Sequence, residues 1–223
     1  MKNELTFSAL FGTADSSIAY DALGAYEQPW DALDHIAEII RDLAAKLPPM
    51  LYEERTEGVW IAKNAKVAPS AYIAAPCIIC ENAEIRHGAF IRGSAIIGRG
   101  AVVGNSTELK NCILFDGVQV PHYNYVGDSI LGYRAHMGAG AITSNVKGDK
   151  SQVTVCIQGE KIATGRKKFG ALLGDRAEIG CHCVLNPGTV IGQDTQIYPL
   201  SSVRGYVPEN SIYKDEGRIV KKQ

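Results

Sequence analysis

From Ile61 onward an apolar residue returns at every sixth position: Ile61, Val67, Ile73, Ile79, Ile85, Ile91, Ile97, Val103 and Leu109. Four residues after the first eight of these sits a small one: Ala65, Ala71, Cys77, Ala83, Ala89, Ala95, Ala101 and Thr107. A second run keeps the rule through Leu173, Ile179, Leu185, Ile191, Ile197 and Val203, with Ala177, Cys183, Thr189, Thr195 and Ser201 between. A helix repeats at 3.6 residues and a strand at 2, so neither produces a period of six. Three such hexads make one triangular coil of a parallel β-helix, with the large residue filling the interior and the small one turning the corner. The expected fold is therefore mainly β, a hexapeptide-repeat prism over residues 56–208.

Residues 1–55 do not follow the repeat. Trp30 to Leu47 reads as an amphipathic helix with Leu33, Ile36, Ile40, Leu43 and Leu47 on one face, Pro29 at its start and Pro48-Pro49 at its end. Upstream, Leu5, Phe7, Leu10, Phe11, Ile18, Tyr20 and Leu23 form an apolar segment of undefined form. The open end of a solenoid needs covering, so this region is expected to be a short helical cap over the first coil or a contact with a neighbouring subunit. Residues 209–223 read as a polar tail. In the middle, Leu109, Leu114, Val120, Val126, Leu131 and Met137 contain two spacings of five, around Pro121-His122-Tyr123-Asn124-Tyr125. Around 146–170 the hexad disappears, in a strand-like Val153–Ile157 and a basic, glycine-flanked Gly165-Arg166-Lys167-Lys168-Phe169-Gly170. Loops thrown out of a rigid repeat are favoured places for a binding surface.

Among 223 residues, 23 are Lys or Arg and 24 are Asp or Glu, a net charge of −1. Such a balance suggests no bulk attraction to nucleic acid or to a membrane surface. No apolar stretch is long enough to span a bilayer, and Glu4 stands where a signal peptide would begin its apolar core. The six cysteines, Cys77, Cys80, Cys112, Cys156, Cys181 and Cys183, read as packing residues in a reducing cytoplasm, not as a disulfide framework. Cys77-Ile78-Ile79-Cys80 and Cys181-His182-Cys183 lie in the repeat, and no metal site is expected there.

The residues with chemistry gather where the repeat contracts. At one coil per 18 or so residues, Arg92, Lys110 and Asp128 stack on one face, near Glu108, His122, Tyr125 and Asn145. Two cations, an imidazole and carboxylates suit a small anionic substrate with a proton to be removed. Glu108-Leu109-Lys110, then Pro121-His122-Tyr123-Asn124-Tyr125-Val126-Gly127-Asp128, then Gly138-Ala139-Gly140-Ala141-Ile142-Thr143-Ser144-Asn145, resemble the acetyltransferase half of bifunctional glucosamine-1-phosphate acetyltransferase/uridylyltransferases. With Gly159-Glu160-Lys161-Ile162-Ala163-Thr164-Gly165 and the basic loop after it, they look closer still to the C-terminal domain of archaeal sugar-1-phosphate nucleotidylyltransferases. The resemblance runs from about Val59 to Pro208.

The resemblance implies a left-handed prism assembled as a homotrimer, which transfers acetyl from acetyl-CoA to an amino-sugar 1-phosphate between subunits. It implies His122 as general base, with Glu108 or Asp128 orienting it. Arg92 and Lys110 would hold the sugar phosphate, and Tyr125 and Asn145 the sugar. The N–H of Ala139 would hold the thioester oxygen, and Arg166, Lys167 and Lys168 the CoA phosphates. Two positions depart from the pattern: His136 replaces an asparagine that contacts substrate, and Ser151 stands in line with a family lysine. No nucleotidylyltransferase domain is legible, so uridylyl transfer is not expected and a separate nucleotidylyltransferase is a conceivable partner. Two alternatives stay open. One is a scaffold or sugar-nucleotide-binding subunit without turnover. The other is a metal-dependent, carbonic-anhydrase-like lyase.

Overall fold

A computed structural model describes residues 3–214 and 217–222. Met1 and Lys2 of the expected cap, and Asp215, Glu216 and Gln223 of the expected tail, lie outside the described residues. The chain winds as a β-solenoid of about 9 turns, as the hexads predict. Within a turn, short strands pair in parallel with the turns above and below, on three faces. The first face carries Val59–Ala62, Cys77–Ile79, Ala95–Ile97, Ala171–Leu173, Thr189–Ile191 and Tyr206–Val207. The second carries Lys66–Val67, Glu84–Ile85, Val102–Asn105, Gln119–His122, His136–Met137, Glu178–Ile179 and Gln196–Ile197. The third carries Tyr72–Ile73, Phe90–Ile91, Ile142–Thr143, Val184–Leu185 and Ser202–Val203. Ile79, Ile85, Ile91, Ile97, Val103 and Leu109 point inward and are buried, each full burial stabilising by about 1.5–3 kcal/mol.

The N-terminal segment is helical where the apolar spacing places a helix, but not continuously. Pro29–Asp34 forms a 3₁₀ helix and Ile36–Ala44 an α-helix, parted at His35. The helices lie along the first face, and of this segment only the strand Tyr52–Thr56 reaches the end of the prism, pairing antiparallel with Val59–Ala62. Ile36–Ala44 packs on Cys77–Ile79, Ala95–Ile97 and the strand Glu108–Leu114. The physical reason is the sequence of that face, whose outward residues Ile78, Ile96, Ile113, Ile130, Leu172 and Val190 are all apolar and fully buried. A sheet apolar on both sides must be covered on both sides. The first coil is left partly open instead: Val67 and Ile73 are half-buried and line a cavity of about 260 Å³ with Val59, Ile61 and Ala71.

Cys77, Cys80, Cys112 and Cys183 are buried, Cys156 and Cys181 are exposed, and all six are free. Burial pushes the Cys80 and Cys112 thiols up to about 12, where the reactive thiolate is scarce. Alkylation of the native protein is therefore expected to label two cysteines quickly and the other four only after denaturation. Intact mass before and after unfolding counts them.

Candidate functional site

The two contracted hexads act at one corner. The register steps 18 residues from Cys77 to Ala95 but 17 from Ala95 to Cys112 and 17 from Cys112 to Ser129. The strand Glu108–Leu114 therefore runs from the third face around the corner onto the first, and Tyr125–Leu131 does the same beside it. One residue makes each corner, Asn111 at φ +50° and Asp128 at φ +48°. Asn and Asp tolerate that left-handed backbone better than most residues. In the next coil the chain leaves the prism at this same corner, between Thr143 and Ala171, and makes the insertion. Thr154–Ile157 and Glu160–Ala163 pair there as an antiparallel hairpin. The insertion returns over the corner, where Gly170 N–H donates to the Asp128 carbonyl (2.8 Å) and Phe169 N–H to that of Asn145 (3.0 Å).

The Asp128 carboxylate is buried and fully engaged. Lys110 Nζ donates to Oδ1 (2.9 Å), Asn111 Nδ2 donates to the same oxygen (3.0 Å), and Asn145 Nδ2 donates to Oδ2. Asn145 Nδ2 also reaches the Tyr125 hydroxyl at 3.2 Å. Burial raises the Tyr125 phenol above its ordinary value, helped by the Asp128 and Glu108 charges, so it stays a neutral hydroxyl. Arg92 Nη1 donates to Glu108 Oε1 at 2.7 Å. Above the corner opens a cleft of about 560 Å³. Arg92, Lys110, Arg166, Lys167 and Lys168 line it, together with the carboxylates of Asp34 and Asp128. Three of these cations are paired, Arg92 with Glu108, Lys110 with Asp128 and Arg166 with Asp34, and Lys167 and Lys168 leave the concave wall with an excess of positive charge that suits an anion such as a phosphate.

Two of its walls come from residues given no role by the sequence. Leu33 and Asp34 of the 3₁₀ helix reach the cleft. Asn111 Nδ2 donates to the Leu33 carbonyl (2.9 Å), and Asp34 Oδ1 pairs with the buried Arg166 guanidinium. The five-residue spacing from Leu109 to Leu114 could have singled out Asn111; Asp34 carries no such signal. Lys167 and Lys168, assigned through the resemblance to CoA phosphates, stand in the same cleft as Arg92 and Lys110.

His122 stands apart from this cleft. It ends the strand Gln119–His122 on the second face, at the corner leading to Tyr125 and the third face. The strand between the two corners is about three residues wide, roughly 10 Å. Glu108 and Asp128 make their hydrogen bonds to Arg92 and to Lys110, Asn111 and Asn145, so neither is seen orienting the imidazole. The backbone here is fixed instead by buried Asn124. Its Oδ1 accepts the His122 N–H (3.1 Å), and its Nδ2 donates to the Gly138 and Ala141 carbonyls (2.8 and 3.1 Å). The next coil stacks directly on this corner, Gly140 N–H donating to the His122 carbonyl at 3.0 Å, which brings neighbouring Ala139 beside His122. His136 is elsewhere, on the second face with Nδ1 2.8 Å from Glu178 Oε2. Ser151 bonds to Asp149 and Lys147 and does not line the cleft. Among the described residues, no three His, Cys, Asp or Glu side chains gather as a metal ion requires.

The family described as the GMPPB C-terminal domain matches residues 73–170, which hold both contracted hexads, the shared corner and the insertion up to Gly170. In this stretch the chain resembles the C-terminal region of sugar-1-phosphate nucleotidylyltransferases. A bifunctional sugar-1-phosphate nucleotidylyltransferase/acetyltransferase of Sulfurisphaera tokodaii is 34% identical over 109 residues, 49% of this chain and 27% of that protein. The bifunctional protein GlmU of Methanococcus vannielii is 37% identical over 120 residues, 53% of this chain and 29% of that protein. The match thus takes in less than a third of either relative. Among solved structures, the acetyltransferase domain of PglB from Neisseria gonorrhoeae, in complex with acetyl coenzyme A, is 17% identical with a TM-score of 0.33. It covers 78% of this chain and 60% of that one, a likeness too slight to bear on function. No described helix is long and apolar enough to cross a membrane.

Proposed function

We propose that the chain is a CoA-dependent N-acetyltransferase acting on an amino-sugar 1-phosphate, of the glucosamine or galactosamine kind. The observation that carries this reading is the cleft in which Arg92 and Lys110 stack one coil apart beneath Arg166, Lys167 and Lys168. Relatives named as nucleotidylyltransferase/acetyltransferases support the same class of reaction.

A phosphate held by Arg92 and Lys110 leaves the sugar to lie across the third face, over Tyr125 and toward His122. The face is about as wide as a hexose phosphate is long, roughly 10 Å. The amine nitrogen attacks the carbonyl carbon of the acetyl thioester, and its N–H proton passes to the His122 imidazole. Negative charge collects on the thioester oxygen, near the Ala139 N–H. The intermediate collapses with loss of the C–S bond, and the CoA thiolate leaves and takes up a proton. In this reading the protein works as a homotrimer, with CoA bound along the groove between neighbouring prisms. Neither metal nor nucleic acid takes part.

Binding of glucosamine 1-phosphate, compared with glucosamine itself, tests the phosphate seat. Arg92 is exposed and its Glu108 partner can rehydrate, so Arg92→Ala is expected to fold normally. It should weaken the phosphorylated sugar about tenfold, the worth of one charge-assisted contact. It should leave the unphosphorylated sugar unchanged. Equal affinity for the two sugars in the native protein would contradict the reading.

A further inference from the structure

Arg166 and Asp34 form an asymmetric pair. The Arg166 side chain is 7% exposed and that of Asp34 is 74% exposed. The guanidinium is fixed in the wall of the cleft, while the carboxylate reaches it from the rim. Arg166 Nη2 meets Asp34 Oδ1, and Arg166 Nε is buried with no hydrogen-bond partner. A guanidinium offers a planar fork suited to two oxygens at once, and a buried donor left unmade is costly. The present partner therefore satisfies the fork only in part. The backbone beside Asp34 does not need to move for the pair to open, because Leu33 O is held by Asn111 Nδ2 at 2.9 Å. Asp34 can leave by rotation of its own side chain into water, at little cost for a group already exposed.

We infer that Asp34 occupies the anion seat of Arg166 when no substrate is bound and is displaced by the substrate's phosphate. The inference rests on the phosphate reading of the cleft given above. The N-terminal segment then has a role in ligand selection. It holds an internal competitor that a dianion offering three oxygens can displace and a monoanionic carboxylate cannot. Exchange transfers Arg166 from one oxygen of Asp34 to the phosphate, so a third cation, beside Arg92 and Lys110, becomes available only when a strong anion arrives. Nearby Asp31 also lies within electrostatic reach of Arg166.

The test is calorimetric titration of the full chain with inorganic phosphate, and separately with acetate, at low ionic strength. Asp34→Asn is expected to bind phosphate about tenfold more tightly than the native chain, as loss of one close competing charge implies. It should also gain measurable affinity for acetate. Asp34→Glu should keep native affinities. In the double variant with Arg166→Gln, the gain from Asp34→Asn should vanish. Thermal unfolding of each variant controls for folding, with Asp34→Ser as the substitute should the amide variant prove unstable. Phosphate affinity that is unchanged or weaker in Asp34→Asn overturns the inference, the weaker result meaning that Asp34 holds Arg166 in place. If the native chain binds phosphate in a way that Arg92→Ala weakens, that failure concerns Asp34 alone. If no variant binds phosphate, the phosphate reading fails and this inference with it.

Discussion

His122→Ala is expected to lower acetyl transfer by about 10²–10⁴-fold while leaving the fold and the phosphate seat intact. The magnitude is that of a lost general base, since the amine must shed a proton as it attacks. The selectivity of the effect follows from position. The imidazole is exposed, and the corner is held through backbone groups by Asn124, so truncation at Cβ leaves that framework in place. Arg92 and Lys110 lie across the third face and keep their partners. The measurable signature is a fall in kcat with nearly unchanged binding of glucosamine 1-phosphate. Retention of full activity in His122→Ala would remove the base from the mechanism and leave the cleft as a binding site only.

Asp128→Ala is expected to destabilise the protein by about 3 kcal/mol, through a different cause. Asp128 is 3% exposed and accepts hydrogen bonds from Lys110, Asn111 and Asn145. Removing it leaves an ammonium and two amides at a partly buried corner without their common acceptor. Alanine must also adopt the φ of +48° that aspartate tolerates there. Lys110, freed of its anchor, no longer points at a fixed place in the cleft, so substrate affinity should fall with stability. Asp128→Asn keeps the backbone preference and part of the acceptor capacity, and a smaller loss is expected. Denaturant unfolding of the two variants separates the charge from the conformational contribution.

The repeat was legible because every inward residue meets the same environment one coil after another. Ile79 and Ile97 differ only in which coil they fill. Contracted spacing marks the corner beneath the cleft for a comparable reason: Leu109 to Leu114 and Val126 to Leu131 both lose one corner residue, and the backbone compensates with Asn111 and Asp128. What the spacing could not show was the course of the N-terminal segment. Its amphipathic face says that Ile36 and Ile40 are buried, not against which surface. The missing clue was present in Cys77-Ile78-Ile79, Ala95-Ile96-Ile97 and Cys112-Ile113-Leu114, apolar on both faces of the sheet. Asp34 was beyond reach altogether, since its pairing with Arg166 joins two segments with no periodic relation. His136 illustrates the converse. Its likeness in sequence position to a substrate-binding residue says nothing about its present partner, Glu178, on the second face.

The most direct measurement is the mass of the product formed from acetyl-CoA and a panel of amino-sugar 1-phosphates, with released CoA counted in parallel. Acetyl transfer from a bound thioester to a phosphorylated amino sugar predicts one acetyl group gained by one sugar of the panel, one CoA released for each, and neither with His122→Ala. Binding of acetyl-CoA and of the sugar phosphates with no acetylated product from any of them would contradict it.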